Sequence, residues 1–232
     1  MSEIVRGLFA CRAPIPYRLD LPPVPPPAGG HPFLLALHGR GESGDLLAAK
    51  LGFDDSVPYA RLYPSGPIPV ACRAGEEHRG ARSWYRFDGD QDAFLRALAE
   101  GEALLKELVP FAASRHGLDP LRVVLLGYSQ GGYLASFAAL RNRRRFHGLV
   151  AVSCRVKHEA LAAELADAAG YPVLGIHGEH DPVVKPGPQR EAFAVLASHG
   201  LDAELHLVPG RHRLVVSAVP LIDAFVRRVL GV

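Results

Sequence analysis

Short, nearly continuous apolar runs alternate with helical patterns along most of this 232-residue chain, and this alternation limits the possible folds more than any other feature. Apolar runs of strand length without polar alternation are typical of strands covered on both faces, as in a parallel sheet. The runs are Phe33–Leu37, Val123–Leu126, Leu149–Ser153, Val173–Ile176 and Ala203–Val208. The helical patterns are Gln91–His116, Gly131–Arg141, His158–Ala169, Gln189–Ser198 and Val215–Leu230. This order predicts a doubly wound α/β fold with a mostly parallel sheet, helices on both faces and right-handed crossovers.

The first thirty residues differ from this pattern. Two short strands are predicted, at Gly7–Ala13 and Ile15–Leu21, as an antiparallel start to the sheet. The stretch Pro22–Gly30 is rich in proline and glycine and predicts a surface connector. It lies too near the N-terminus to divide two domains, so we expect one domain over residues 1–232. Pro110 falls inside the longest helical pattern and predicts a break or kink there.

Composition and charge exclude several classes of protein. Hydrophobic residues make up 48% and charged residues 22% of the chain, as in an ordinary soluble globule. A formal net charge of +2 gives too weak a field to indicate a nucleic-acid partner. Polar residues interrupt the N-terminus, which disfavours a signal peptide, and no apolar run is long enough for a membrane span. We expect a soluble cytoplasmic protein, either a monomer or a homodimer.

No metal, disulfide or other cofactor site is indicated by the residue types that would build one. The chain has three cysteines, Cys11, Cys72 and Cys154, which lie far apart and form no CxxC pair. Its eleven histidines include no HExxH or other compact ligand spacing. The basic run Arg141–Arg145 follows a predicted helix, where cations complement the helix dipole, so we interpret it as a solvated helix end.

A serine flanked by glycines follows one of the predicted strands directly. The strand Arg122–Gly127 runs into Gly127-Tyr128-Ser129-Gln130-Gly131, and Gly132 and an apolar helical segment come next. This is the G-x-S-x-G pattern in a strand–turn–helix context. Such a sharp turn leaves no room for flanking side chains, raises the hydroxyl above the sheet and frees the next backbone N–H. We predict that Ser129 is a nucleophile, although a glycine-rich turn without chemistry is an alternative.

A serine hydroxyl is a weak nucleophile near neutral pH, so it needs a base, and the base needs an orienting acid. The strand Val173–Ile176 leads into a loop that contains Asp181, and the strand Ala203–Val208 leads into a loop that contains His212. Parallel α/β sheets carry function at the carboxyl ends of their strands. We therefore predict His212 as the base and Asp181 as the acid.

Three neighbouring residues are alternatives for these two roles. Glu179 could replace Asp181 as the acid. His177 and His180 could be the base, but both precede the acid in the chain, the reverse of the serine–acid–histidine order that accompanies the G-x-S-x-G pattern. We interpret them as loop or strand-end residues.

Stabilisation of a tetrahedral oxyanion is the remaining requirement. The first buried strand ends in Leu37-His38-Gly39-Arg40-Gly41, a glycine-dense turn that can expose a backbone N–H. We predict the backbone N–H groups of Arg40 and Gln130 as the two donors. A phosphate-binding glycine loop is the alternative, but no P-loop lysine follows at the required spacing.

From about Pro32 to its end, the chain resembles the carboxylesterase, phospholipase and acyl-protein thioesterase group of α/β-hydrolases. The resemblance rests on the turn after the first buried strand, on Arg82-Ser83-Trp84-Tyr85, on the serine motif with Gly132, and on His177-Gly178-Glu179-His180-Asp181-Pro182-Val183-Val184. It implies an α/β-hydrolase fold with little or no lid. It also implies hydrolysis of small-molecule esters or thioesters through an acyl-enzyme, without a cofactor.

The resemblance leaves the substrate and even the activity open. Trp84, Tyr85 and Tyr128 are candidate substrate-binding residues, although Trp84 and Tyr85 could equally be core residues. A feruloyl-type or depolymerase esterase is an alternative within the enzyme class, and a hydrolase-fold protein that binds a ligand without turnover is an alternative outside it.

Five arginines flank the predicted site segments. They are Arg40, Arg82, Arg86, Arg211 and Arg213. If two or more face the cleft, they favour a substrate that carries a carboxylate or phosphate, since guanidinium groups pair with such anions. Solvated surface arginines are the alternative.

Overall fold

The computed structural model describes residues 14–71, 80–214 and 216–232. The strands are β1 (Tyr17–Asp20), β2 (His31–Leu37), β3 (Ala60–Pro64), β4 (Ile68–Pro69), β5 (Arg82–Ser83), β6 (Leu118–Tyr128), β7 (Phe146–Val152), β8 (Pro172–Gly178) and β9 (Asp202–Val208). The α-helices are α1 (Gly44–Leu51), α2 (Gln91–His116), α3 (Gln130–Arg141), α4 (Ala162–Leu165), α5 (Pro186–Ser198) and α6 (Val219–Leu230). Single 3-10 turns lie at His158–Ala160 and Val216–Ala218.

Seven strands form the main sheet in the order β1-β3-β2-β6-β7-β8-β9. β1 is antiparallel to β3, and every other neighbouring pair is parallel. The mostly parallel sheet with an antiparallel start is therefore confirmed. The predicted strand Gly7–Ala13 lies outside the described residues, and the partner of β1 is β3.

Alternate residues of each central strand pack into different cores on the two faces of the sheet. In β6, Val123 and Leu125 belong to the core that includes side chains of α2, α3 and α5, whereas Val124 and Leu126 belong to the core that includes side chains of α1 and α6. Both sets are buried, which explains why the strands read as continuous apolar runs. Helices on both faces are confirmed. Among the described helices, none has both the length and the apolar character to cross a bilayer.

Two elements beside β2 were not predicted. β3 is fully buried between β1 and β2, but Arg61 interrupts its apolar pattern and Pro64 ends it. α1 begins after Ser43, whose hydroxyl accepts a hydrogen bond from the Leu46 N–H at 3.2 Å. It ends at Gly52 in the left-handed conformation. These two caps are the usual start and stop signals of a helix.

Other boundaries differ from the prediction. The helix predicted at His158–Ala169 is wrong, because Leu161 adopts φ −129° and separates a 3-10 turn from the short α4. Leu161 is fully buried, so the interruption places an apolar side chain in the core. α5 begins three residues before the predicted start, at Pro186, because proline is well suited to the first helical position.

α2 continues through Pro110 without the predicted break. The proline cannot donate to the carbonyl oxygen of Lys106, and the guanidinium of Arg145 lies 3.4 Å from that oxygen instead. Arg141 pairs with Glu102 of α2 at 2.9 Å. The basic run Arg141–Arg145 lies at the end of α3 as predicted, with Arg141 and Arg144 exposed, and it also contacts α2 through Arg141 and Arg145.

Candidate active site

Three of the predicted site residues form a row of hydrogen-bond contacts. Ser129 Oγ lies 2.8 Å from His212 Nε2, and His212 Nδ1 lies 2.7 Å from Asp181 Oδ2. The three residues follow β6, β9 and β8, so they meet at the carboxyl edge of the sheet. The Asp181 side chain has no exposed surface, whereas Ser129 and His212 line a cavity. The row thus runs from a buried carboxylate to an accessible hydroxyl.

The turn that carries Ser129 is strained and closely packed. Ser129 has φ 51° and ψ −116°, a conformation that costs a non-glycine residue about 1–3 kcal/mol. A Cβ on Gly127 would lie 2.2 Å from the carbonyl oxygen of Gly131. A Cβ on Gly131 would lie 2.4 Å from the carbonyl oxygen of Leu37. Glycine is therefore needed on both sides of the serine, because the backbones of β6, α3 and β2 meet there.

Hydrogen bonds hold both carboxylate oxygens of Asp181. Oδ1 accepts from the backbone N–H groups of Val183 and Val184 at 2.8 and 3.0 Å, and Oδ2 accepts from His212 Nδ1. Burial raises the pKa of Asp181, but the hydrogen bonds from His212 and the two backbone groups outweigh burial and keep that pKa below its usual value. The carboxylate is therefore ionised at neutral pH and can orient the imidazole.

The loops of Asp181 and His212 are joined by backbone contacts. The Glu179 N–H donates to the Val208 carbonyl oxygen, and the His180 N–H donates to that of Gly210, each at 3.0 Å. A Cβ on Gly178 would lie 2.4 Å from the Arg211 carbonyl oxygen. The pairing of β8 with β9 therefore continues beyond the strands and fixes the distance between the acid and the histidine.

The alternative residues of these loops lie elsewhere. Glu179 and His180 are exposed, and His212 contacts Asp181 rather than Glu179. His177 is fully buried, with Nε2 2.7 Å from the Val184 carbonyl oxygen and 3.5 Å from Asp181 Oδ2. Its ring thus packs beneath the loop that contains Asp181 and helps to hold it in place.

The loop after β2 carries the first predicted oxyanion donor, and α3 begins with the second. Arg40 and Gln130 line the same cavity as Ser129. Neither backbone N–H has a hydrogen-bond partner among the described residues. Two unused donors beside the Ser129 hydroxyl are suited to a developing oxyanion.

His38 holds this loop in place. The Gly66 N–H donates to His38 Nε2 at 2.8 Å, so the ring proton is on Nδ1, which lies 2.7 Å from the Gly39 carbonyl oxygen. Burial lowers the pKa of His38, which keeps the ring neutral. Trp84 Nε1 donates to the His38 carbonyl oxygen at 2.8 Å. Both ring nitrogens and the carbonyl of His38 are therefore used to fix the loop.

The side chain of Gln130 joins the serine turn to the segment after β5. Its Nε2 donates to Ser83 Oγ and to the Tyr85 carbonyl oxygen at 2.9 and 2.8 Å, and its Oε1 accepts from the Trp84 N–H at 3.0 Å. Trp84 is 4% exposed and lies in the core rather than in the cavity wall, which corrects its assignment as a substrate-binding residue. Tyr85 and Tyr128 do line the cavity.

The cavity has a volume of about 1010 Å³ and an aromatic side. Phe94 makes edge-on contacts with Tyr85, Phe87 and Tyr133 at centroid distances of 5.3, 5.2 and 5.9 Å. All four rings line the cavity. This aromatic cluster, made of these four residues, can accept an apolar part of a ligand.

The five flanking arginines divide into two groups. Arg40 and Arg86 line the cavity. Arg82 instead donates to the Gly66 backbone carbonyl at 3.1 Å, and Arg211 and Arg213 are exposed outside the described cavity wall. The expectation that arginines face the cleft therefore holds for two of the five.

A family model for phospholipases and carboxylesterases matches residues 25–230. The chain belongs to the phospholipase/carboxylesterase family. It is 30% identical over 162 residues to acyl-protein thioesterase 1 of Cryptococcus neoformans, a match covering 65% of this chain and 66% of that protein, just under two thirds. It is 26% identical over 213 residues to acyl-protein thioesterase 1 of Gibberella zeae, covering 85% of this chain and 90% of that protein. The crystal structure of esterase PE8 is similar, with a TM-score of 0.72 and 28% identity, covering 92% of this chain and 100% of that one.

Several residues of this family member's cavity were missed by sequence reasoning. Phe94 and Tyr133 belong to helices, where an aromatic residue gives no sign of whether it faces a core or a cavity. Arg155 and Lys157 also line the cavity, in the loop that follows β7. Their position just past a strand end was a signal that could have found them, since function gathers at that edge of a parallel sheet.

Proposed function

We propose that this member of the phospholipase/carboxylesterase family is a serine hydrolase that cleaves carboxylic esters or thioesters through an acyl-enzyme on Ser129. The observation that carries the proposal is the row from Ser129 Oγ to His212 to Asp181, with contacts of 2.8 and 2.7 Å, on a strained turn. The names of the thioesterase relatives and of esterase PE8 support both substrate classes.

In the first half of the reaction, Ser129 Oγ attacks the carbonyl carbon while its proton passes to His212 Nε2. The carbonyl π electrons move to the oxygen, and the Arg40 and Gln130 backbone N–H groups stabilise the resulting oxyanion. Asp181 stays ionised and stabilises the imidazolium. Collapse of the tetrahedral intermediate breaks the bond to the leaving oxygen or sulfur, which takes the proton from His212. The acyl group remains on Ser129.

In the second half, a water molecule replaces the leaving group. His212 Nε2 takes a proton from the water as its oxygen attacks the acyl carbon, and the same two N–H groups stabilise the second oxyanion. Collapse returns the proton to Ser129 Oγ and releases the carboxylic acid. The whole cycle uses side chains and backbone groups of this chain with water and substrate.

Covalent labelling with a fluorophosphonate probe tests the proposal directly. The wild-type chain is expected to gain the mass of one probe on the peptide that contains Ser129 and to turn over p-nitrophenyl esters, acyl-CoA thioesters or lysophospholipid. Ser129→Ala is expected to lose both labelling and turnover while it keeps the wild-type Tm. Ser153→Ala is a matched control, because Ser153 also has a positive φ, 46°, but lies outside the described cavity wall.

The competing proposal of a ligand-binding protein without turnover predicts neither labelling nor hydrolysis. Labelling that persists at more than a few per cent of the wild-type level in Ser129→Ala would show that another residue is the nucleophile.

A further inference from the structure

Two cations that the proposed hydrolysis does not use lie in the loop after β7. Arg155 and Lys157 both line the cavity that contains Ser129. β7 pairs with β6 in parallel register, with Tyr128 opposite Val152, and the Ser129 N–H donates to the Val152 carbonyl oxygen at 2.9 Å. The loop therefore leaves the sheet on the strand next to the nucleophile.

This loop is anchored from two sides. The Val156 N–H donates to Gln189 Oε1 of α5 at 2.9 Å, and Val156 is fully buried. On the other side, the Tyr133 hydroxyl of α3 lies near the backbone of Arg155. The cations thus project from a fixed segment next to the aromatic cluster, of which Tyr133 is a member.

A single carboxylate is shared by the two cations. Glu159 Oε1 lies 3.0 Å from Arg155 Nη2 and 2.9 Å from Lys157 Nζ. One carboxylate cannot neutralise two cations, so the group keeps a net positive charge. Arg155 Nη1 has no hydrogen-bond partner among the described residues. Lys157 Nζ also contacts Gln91 Oε1, at 3.2 Å, at the start of the helix that carries Phe94.

The other charges of the cavity wall do not cancel this excess. They are the cations Arg40 and Arg86 and the carboxylates Glu42 and Asp88. Glu42 is paired with Lys50. Asp88 and Arg86 are both exposed, where solvent screens their fields. The described cavity wall is therefore positive, and its half-buried cations are those of the β7 loop.

We propose that Arg155 and Lys157 bind an anionic group, a carboxylate or a phosphate, on the ester or thioester that this site hydrolyses. The proposal rests on the proposed hydrolase function and specifies its substrate class. An apolar segment of the substrate packs on the aromatic cluster, and the anion beyond it meets the guanidinium and ammonium groups. Arginine is suited to this role because it binds carboxylate and phosphate oxygens with two parallel N–H groups.

The first experiment compares matched substrate pairs on the wild-type chain. One pair is the p-nitrophenyl ester of a monocarboxylic acid and the p-nitrophenyl half-ester of a dicarboxylic acid of equal length. The other is an acyl ester of a neutral alcohol and the same acyl ester of an alcohol that carries a phosphate. At least one anionic member is expected to have a kcat/KM about tenfold higher at low salt, and 0.5 M salt is expected to reduce that ratio. The pair that responds identifies whether the anion is on the acyl or the alcohol side.

The second experiment assigns the preference to residues. Arg155→Gln and Lys157→Gln are each expected to lower the ratio of anionic to neutral kcat/KM severalfold. Arg144→Gln is the matched control for net charge, because Arg144 is exposed and precedes the start of β7, at the opposite end of this strand from Arg155 and Lys157. It is expected to keep the wild-type ratio of anionic to neutral kcat/KM.

Several results would overturn the inference and leave the hydrolase function standing. One is an equal kcat/KM for the two members of each pair at low salt. Another is an equal loss of kcat/KM on both members of a pair in the variants, since it would show that Arg155 and Lys157 stabilise the fold rather than select an anionic substrate. Absence of turnover and of probe labelling would instead reject the hydrolase function itself.

Discussion

Both carboxylate oxygens of Asp181 accept hydrogen bonds. These bonds fix the orientation that an asparagine amide would take at this position. Oδ1 accepts from the N–H groups of Val183 and Val184, and Oδ2 accepts from His212 Nδ1. An asparagine here must keep its oxygen toward the two backbone donors, because its NH₂ group would oppose them. The NH₂ group then faces His212 Nδ1, which must act as an acceptor and carry no proton.

Asp181→Asn is therefore expected to place the ring proton on His212 Nε2, where it faces Ser129 Oγ. In that tautomer the imidazole cannot take the serine proton, so kcat should fall about 10³ to 10⁴-fold. The measurement is kcat for a p-nitrophenyl ester near neutral pH. Glu179→Gln, two residues away on the exposed side of the loop, is the control and should stay near wild type. A larger loss in Glu179→Gln than in Asp181→Asn would make Glu179 the acid.

For single residues, the sequence predicted a contact only where the residues follow strand ends in a fixed order along the chain. Ser129, Asp181 and His212 each follow a strand end in the order that the pattern requires, and the structure brings them into contact. Trp84 could not be placed, because its direction depends on a hydrogen bond to the carbonyl of His38, 46 residues away. The same limit applies to Arg155, because the loop that carries it is held by the hydrogen bond between the Val156 N–H and Gln189 of α5, 33 residues away.

Among the elements, α2 is a helix in which tertiary packing outweighs the helix-breaking effect of Pro110. Leu105, Val109, Ala112 and Ala113 are buried on both sides of Pro110 along one face of the helix. Burial of such side chains contributes about 1–3 kcal/mol each, comparable with the ~3 kcal/mol that an interior proline costs. The helical pattern was thus a better guide than the proline, and propensity alone could not decide between them.

Pro110→Ala is expected to stabilise the chain. Alanine restores the N–H that can donate to the Lys106 carbonyl oxygen, and the gain is about 2 kcal/mol once the more flexible unfolded chain is included. Urea unfolding followed by circular dichroism measures the change. Pro186→Ala at the first position of α5 is the control, since that N–H has no partner within the helix, and it should change stability by less than about 0.5 kcal/mol. An equal effect at both sites would mean that Lys106 gains nothing from the restored donor.

The start of α1 depends on a close approach of two backbones. A Cβ on Gly44 would lie 2.1 Å from the carbonyl oxygen of Tyr63 in β3, and backbone atoms cannot rotate away. Gly44→Ala is expected to lower the free energy of unfolding by about 2–3 kcal/mol, as an overpacked contact does.

The matched control for Gly44→Ala is Gly187→Ala near the start of α5. A Cβ on Gly187 would meet no atom within 4 Å, so this change should alter stability by less than about 1 kcal/mol. Urea unfolding of the two variants decides the matter. Similar stability in both would show that α1 and β3 can separate without cost.

The whole molecule positions the site by a simple rule of parallel sheets. β6, β7, β8 and β9 are consecutive neighbours, so four loops that are distant in sequence leave the sheet side by side at its carboxyl edge. Apolar run lengths were sufficient to predict this part of the sheet. They were not sufficient for β3, where Arg61 is buried and donates to the Asp54 carbonyl oxygen at 2.9 Å. A buried arginine that donates to a backbone carbonyl in the preceding loop has no signature in a hydropathy pattern.

His38 connects three segments of the molecule, and its protonation therefore affects global stability. Because burial lowers the pKa of His38 below its ordinary value of 6.5, the unfolded state binds a proton at a pH where the folded state does not. The stabilisation from neutral His38 is thus fully present well above pH 6.5 and is lost as the pH falls below 6.5 toward the folded pKa. His31, whose pKa burial also lowers, contributes with the same sign.

We therefore expect Tm to fall as the pH is lowered from 7.5 to 5.5. Protonation turns His38 Nε2 into a donor, which then faces the N–H donor of Gly66. His38→Gln removes the titrating group, and its amide oxygen can still accept from Gly66. This variant should have a lower Tm than wild type at pH 7.5, because the hydrogen bond to Gly39 is lost, but a smaller fall in Tm on acidification. Part of the dependence of Tm on pH should remain, because His31 still titrates in this variant.

His199→Gln, at an exposed histidine after α5, is the control and should keep the wild-type dependence of Tm on pH. Thermal melts at half-unit pH steps measure all three chains, and parallel curves for wild type and His38→Gln would show that His38 does not link protonation to folding.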